Sequence, residues 1–81
     1  MRDEELFDHI NALSKEEERL FAEASDGSGL STEASTRLTA IQVELDRVYD
    51  LLHQRDARRA AGLDPEQAEF RPADVVEHYQ Q

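Results

Sequence analysis

The stretch Thr32–Ala61, TEASTRLTAIQVELDRVYDLLHQRDARRAA, decides the fold. It holds no glycine or proline, and Ala34, Leu38, Ile41, Leu45, Val48 and Leu52 recur in strict 4-3-4-3-4 spacing. Such spacing returns an apolar side chain to one side of a helix at every turn and makes a packing seam. Ser31 has the chemistry of an N-cap, and Glu33 lies in the first turn, where the positive end of the helix dipole favours a carboxylate. Gly62 supplies the stop, and Arg55, Arg58 and Arg59 suit the negative end. The second helix is therefore expected over 32–61.

Upstream, residues 3–25 carry Leu6, Ile10, Leu13, Leu20 and Ala24 on one helical stripe, with Glu17 as its polar occupant. Asp3 can cap this first helix, and Glu4 and Glu5 follow it at the positive end of the dipole. Between the helices, residues 26–31 form a connector. Gly27-Ser28-Gly29 has only a superficial likeness to a phosphate loop, because it follows a helix and lacks the Gly-Lys-Ser/Thr ending. Nor do Asp26 and Glu33 complete a calcium loop.

So short a connector folds the two helices antiparallel. Facing seams then bring together Ala24 and Ala34, Leu20 and Leu38, Leu13 and Leu45, Ile10 and Val48, and Leu6 and Leu52. At about 1.5 Å per residue the first helix spans about 33 Å and the second about 45 Å, so the second is expected to overhang. The overhang accounts for the polar turn of the seam at Arg55 and Arg59. The same register sets Arg55 and Arg58 near Asp3, Glu4 and Glu5, as an exposed pairing of opposite charge.

Residues 62–81 form a C-terminal docking segment. Asp64-Pro65-Glu66-Gln67 combines a cap, a proline at the first helical position and a capping-box glutamine, so a short turn is expected there. Pro72 starts a second turn through Asp74 to Tyr79. Phe70, Val75, Val76 and Tyr79 are apolar anchors that a disordered tail would lack. They suit docking in a groove, on this chain or on a partner.

The whole is thus all-α: one domain, an antiparallel helical hairpin with a long second helix and a short C-terminal helical or extended tail. Two helices do not enclose a core, and the apolar faces are wide. Phe7 and Phe21 flank the first stripe, while Val43, Tyr49 and Leu51 flank or oppose the second. An 81-residue chain without cysteine has no disulfide to compensate for a small core. Pairing of two hairpins into a four-helix bundle, as a homodimer, is the expected remedy. Its surface is Phe7, Phe21, Val43, Tyr49, Leu51, Phe70, Val75, Val76 and Tyr79, with the tail docked in cis or swapped to the partner.

Composition narrows the function. Nine Lys and Arg against nineteen Asp and Glu give a formal net charge of −10. Leu, Ile, Val and Phe make up about 22% of the chain, just above the roughly 20% below which a highly charged chain stays disordered. No apolar run suits a membrane span, and the acidic N-terminus is unlike a signal peptide, so a cytoplasmic setting is expected. Net charge opposes nucleic acid despite the Arg55, Arg58 and Arg59 cluster. An acidic decoy for a basic nucleic-acid-binding partner follows from net charge alone. The spacings Glu5 to His9 and Asp50 to His53 echo the carboxylate–histidine pattern of di-metal bundles, which makes a metal-binding bundle the alternative reading. Asp50 and His53 fall outside the seam, however, and a di-metal site needs inward ligands. A buried Glu17 would have a raised pKa and could be catalytic, but polar seam residues more often sit at the core edge or fix register. No nucleophile arrangement is present, and no cofactor, metal site or enzymatic activity is expected. A non-enzymatic interaction module with an unidentified protein partner is the leading expectation.

The segments Leu45-Asp46-Arg47, Asp50-Leu51-Leu52-His53-Gln54-Arg55, Ala57-Arg58-Arg59, Ala61-Gly62-Leu63-Asp64-Pro65 and Arg71-Pro72-Ala73-Asp74-Val75-Val76-Glu77 resemble an actinobacterial family of short, acidic proteins known as a domain of unknown function. The Arg-Pro-x-x-Val-Val-Glu tail is the most specific part. The resemblance implies a helical fold and a bacterial cytoplasmic setting, and it carries over no catalytic residue.

Overall fold

The computed structural model describes residues 2–24 and 29–79, with the side chains of His78 and Tyr79 outside that description. Helix α1 spans Asp3–Ala24, α2 Thr32–Ala60 and α3 Ala73–Tyr79, with a 3-10 turn at Pro65–Gln67. Among the described residues no strand occurs. Residues 26–28 of the connector expected at 26–31, Gly27 among them, lie outside the described residues.

Helix α2 begins and ends as its sequence dictates. The Ser31 hydroxyl accepts from the Ala34 amide at 3.1 Å, satisfying one donor of the first turn. At the other end Gly62 takes φ +75°, its amide donates to the Arg59 carbonyl at 3.1 Å, and the Leu63 amide donates to the Arg58 carbonyl at 2.8 Å. These two bonds close the last carbonyls of the helix, and the left-handed backbone they need favours glycine. Asp64 then caps the 3-10 turn by accepting from the Glu66 amide at 2.9 Å.

The helices α1 and α2 pack against each other, as the seams require. Leu13, Leu20, Leu38 and Ile41 are buried together, with Ala34 and Leu45 against them. Leu6, Val48 and Leu51 form a second cluster, joined by Ile10, Leu52 and Ala68. Leu51 was expected on the outer surface and is instead 3% exposed, in the core. The shift has a cause in the returning chain. Ala68 packs against the cluster at the end of the hairpin, so the buried stripe of α2 broadens toward Leu51 while Leu52 stays half-buried.

At 29 residues against 22, α2 outruns α1 as expected, and the returning chain covers its overhanging end. The chain turns back at Gly62, and the 3-10 turn packs on α2. Arg55, in seam register, is only 4% exposed. Beyond Ala68 the C-terminal segment runs along the outer side of α2, and α3 packs on that helix. Val76 is 2% exposed, so of the two expected placements of the tail, in cis or on a partner, this anchor takes the one in cis, in the interior of its own chain.

Candidate functional site

Successive residues turn about 100° around a helix axis, which sorts the side chains beside the buried stripes onto two flanks of the hairpin. On one flank lie His9 and Glu16 of α1 with Arg37 and Glu44 of α2. Arg37 Nε and Nη2 donate to the two Glu16 carboxylate oxygens at 2.6 and 2.7 Å. His9 Nε2 lies 3.4 Å from Glu44 Oε1. The Arg37 guanidinium, through its hydrogen bonds first, holds the Glu16 carboxyl below the usual range. This flank is closed by polar contacts.

The other flank is apolar and open. Phe7, Ser14 and Phe21 fall there on α1, and Gln42 and Tyr49 on α2, with half-buried Ile10, Glu17, Leu45 and Leu52 as its floor. Phe7 is 53% exposed, Phe21 51% and Tyr49 44%. Glu17 is the one charged residue among those named. It sits half-buried at the edge of the seam.

The open end of the hairpin gathers charge around Arg55. Its Nε donates to Asp3 Oδ1 at 2.6 Å, Nη1 to the Pro65 carbonyl at 3.3 Å and Nη2 to Glu66 Oε1 at 3.2 Å. Arg59 Nη2 donates to the same Asp3 oxygen at 2.7 Å and Nη1 to Asp56 Oδ1 at 2.8 Å. Hydrogen bonds from Arg59 and then Arg55 hold the Asp3 carboxyl below its ordinary value. The expected partnership was therefore right for Arg55 and Asp3, while Arg59 replaces Arg58. Arg58 Nε donates to the Asp64 carbonyl at 2.6 Å, bracing the turn after α2. Glu4 and Glu5 lie within 4.0 and 3.7 Å of Arg2 instead. Asp3 spends its carboxylate on these arginines instead of capping α1.

The third constellation fastens the tail. Arg71 straddles Asp50, with Nε donating at 2.8 Å to one oxygen and Nη2 bonding the other. Gln54 Nε2 donates to Asp50 Oδ2 and to the Glu69 carbonyl, both at 2.9 Å. Arg47 Nε donates to the Arg71 carbonyl at 3.0 Å, and its guanidinium lies 5.5 Å from the centre of the Phe70 ring. Contact with Arg71 first, and then with Gln54, holds the Asp50 carboxyl down against the opposing effect of burial. A cavity of about 570 Å³ opens between α2 and the tail, lined by Tyr49, Asp50, His53, Gln54, Ala57, Arg71 and Val76.

The candidate surface residues thus divide. Phe7, Phe21 and Tyr49 share the open flank. Phe70 and Val75 are exposed on the tail, and Val43 is half-buried on α2. Leu51 and Val76 are interior, and the Tyr79 side chain lies outside the description. The residues weighed as metal ligands part company: His9 faces Glu44, and Asp50 is taken up by Arg71 and Gln54. Among the described residues no group of three or more His, Asp and Glu side chains could hold a metal ion. Sequence reasoning missed the Arg71–Asp50 clasp, although an arginine before Pro72 and an acidic residue outside the seam were its visible signals.

No helix among the described residues is long and apolar enough to cross a membrane. No solved structure matches the chain. It is 44% identical over 77 residues to an uncharacterized protein of Mycobacterium bovis and, at the same identity, to one of Mycobacterium tuberculosis. The match covers 95% of this chain and 88% of each relative. The family profile described as "Protein of unknown function (DUF2630)" matches residues 2–81, and the chain belongs to that family.

Proposed function

We propose that the protein is a non-enzymatic, cytoplasmic interaction module that works as a homodimer, two hairpins stacking through their open flanks into a four-helix bundle. The observation that carries this reading is the asymmetry of the flanks: Phe7, Phe21 and Tyr49 stand about half exposed on one, while the Arg37–Glu16 ion pair and the polar His9–Glu44 contact span the other. A second copy is the fitting occupant. The α2 side of the open flank, Leu38, Gln42, Leu45, Tyr49 and Leu52, carries no charge, and the α1 side carries only Glu17. A basic partner finds its complement on the acidic exterior, whereas this strip is matched by another like itself. Stacking also adds apolar burial to a core that is small for a stable monomer. The acidic exterior then remains available to a further protein partner.

The arginines at the end of α2 support leaving nucleic acid out, since Arg55, Arg58 and Arg59 are engaged with carboxylates and carbonyls of the chain itself. Sedimentation equilibrium at tens of micromolar is expected to give twice 9.3 kDa. The double substitution Phe7→Glu with Phe21→Glu is expected to give a folded monomer, with association weakened at least about 100-fold, since aromatic anchors carry most of an interface's binding energy. A wild-type chain that remains a helical 9.3 kDa species at that concentration overturns the proposal.

A further inference from the structure

The residues that make the open flank recur in sevens. Phe7, Ser14 and Phe21 form one row on α1, and Ser35, Gln42 and Tyr49 form one on α2. All are exposed except Ser14, which is half-buried. Contacts across the hairpin fix how the rows align: His9 faces Glu44, Glu16 faces Arg37 and Asp3 faces Arg55. Phe7 is therefore level with Tyr49, Ser14 and Glu17 with Gln42, and Phe21 with Ser35 and the buried Leu38. From the Arg55 end to the connector, the flank carries an aromatic level, a polar level and an apolar level.

Two hairpins stacked through this flank about a two-fold axis have two arrangements, because the axis runs either along the helices or across them. Along the helices, α1 of each copy lies on α2 of the other with corresponding ends together, and every level meets its own kind. Phe7 meets the partner's Tyr49, Phe21 meets the partner's Leu38, and Glu17 meets the partner's Gln42. Across the helices, α1 lies on α1 and α2 on α2, each reversed. Tyr49 then falls on the partner's Ser35, while both Glu17 carboxylates gather on one pair of helices and both Gln42 amides on the other. Glu17 decides between the two. It is half-buried already, stacking takes it further from water, and a carboxylate leaving water needs a hydrogen-bond donor. The first arrangement brings it the side-chain amide of the partner's Gln42; the second leaves both carboxylates on one side of the bundle.

We propose that the two-fold axis of the dimer runs along its helices, with α1 of one copy seated on α2 of the other and Gln42 of the partner subunit donating to Glu17. The inference rests on the homodimer proposed above and specifies its geometry. Its consequence is a bundle with unlike ends. Both connectors lie at one end, and both Arg55 clusters and 3-10 turns lie at the other, so that end presents two copies of one surface side by side.

The test reads distances between the two copies. The chain has no cysteine, so Asp8→Cys, Lys15→Cys and Ala22→Cys each accept one spin label, on one exposed row of α1. Each variant is first checked for unchanged helicity and dimer mass. Pulsed dipolar spectroscopy is expected to give three distances that agree within about 5 Å, one helical turn, because an axis along the helices keeps paired labels at the same height. An axis across the helices separates paired labels along the bundle by about 3 Å for every residue from the crossing point, so a distance that lengthens by about 10 Å or more from Lys15 to either end overturns the proposal. Absent dipolar coupling with a 9.3 kDa mass removes the homodimer itself, which is told apart from a failure of its geometry. Charge at Gln42 gives an independent reading. Gln42→Lys sets an ammonium on the partner's Glu17 and is expected to keep or tighten association, whereas Gln42→Glu sets a like charge there and is expected to weaken it about tenfold or more. With α2 on α2, position 42 lies near its own copy and both charges weaken association alike; that result also overturns the proposal.

Discussion

Two arginine–carboxylate clusters hold α1 to α2, and they differ in where the charge resides. At the open end, Arg55 is 4% exposed and reaches α1 and the returning chain at once through Asp3, Glu66 and the Pro65 carbonyl. Midway along the closed flank, Arg37 makes an equally short bidentate pair with Glu16, but its side chain is half exposed. Bond lengths do not separate the two. Water does: an exposed pair trades solvation for a similar contact, whereas a buried guanidinium has no solvent to fall back on if its partners leave. The lesson is that the Arg55 cluster closes the fold, and the Arg37 pair spans the rim of a seam that leucine already holds together.

The largest expected effect is accordingly at Arg55. Arg55→Ala removes one side chain that bridges three segments, leaves a void beneath the 3-10 turn and takes away one of two donors to the Pro65 carbonyl, which keeps the Ala68 amide. Asp3 and Glu66 are partly exposed and regain water, which limits the loss to about 2 kcal/mol. Thermal unfolding by circular dichroism is expected to show a midpoint lower by roughly 10 °C for a chain of this size. A midpoint within two degrees of the wild type, about the reproducibility of such a melt, would erase the contrast between the clusters.

How much of this was legible beforehand follows from the range of each interaction. The seam from Ala34 to Val48, the Ser31 cap and the Gly62 stop are local, each read from residues within a few positions of one another, and each stands in the structure. The pairing of Arg55 with Asp3 was legible too, because antiparallel register links them. Its burial was not. That depends on residues 64–68 doubling back beneath the guanidinium, which no periodicity encodes. Leu51 was misplaced for the same reason, since its burial is conferred by a segment whose path is set by the Gly62 turn and the Arg71–Asp50 clasp, and Val76 was left between docking in cis and swapping, of which the structure takes the first. At the candidate interface, the aromatic positions Phe7, Phe21 and Tyr49 were recognisable as surplus to a hairpin. Their convergence on one flank needed the handedness of packing that His9–Glu44 and Glu16–Arg37 reveal.

Next in size is the Arg71–Asp50 clasp on the C-terminal segment, intermediate in burial because Asp50 is mostly covered and Arg71 is not. Asp50→Asn keeps the shape and the Gln54 contact but cancels the charge, and is expected to cost about 1 kcal/mol, felt as local opening of residues 69–79. Amide exchange distinguishes this from global unfolding: protection is expected to fall in residues 75–79 while the α2 core amides stay protected. Equal loss of protection in α2 would make the C-terminal segment part of one cooperative unit with the hairpin.

Acid titrates the same ranking. Asp3 and Asp50 are both held below the ordinary aspartate value, so each contributes stability that is complete above the unfolded value and is lost as pH falls through the folded one. Melting midpoints are expected to drop below about pH 4, the ordinary aspartate range. Asp3→Asn is expected to remove more of that drop than Asp50→Asn does, because Asp3 serves two arginines. The reverse order would move the centre of the electrostatic support from the end of the hairpin to the C-terminal segment.

The smallest effect sharpens the contrast most, because it is a predicted near-zero for a pair that looks strong. Glu16 and Arg37 form two short bonds in good bidentate geometry. Both remain in contact with solvent, and added salt screens what attraction is left. Arg37→Ala is therefore expected to leave the melting midpoint within two degrees of wild type, in low and in high salt. It is also expected to leave the sedimentation behaviour unchanged, because the closed flank lies opposite the proposed dimer surface. A large stability loss would mean that bidentate geometry outweighs exposure in this hairpin. An unchanged midpoint with lost association would move the contact between copies to the flank that carries His9 and Glu44.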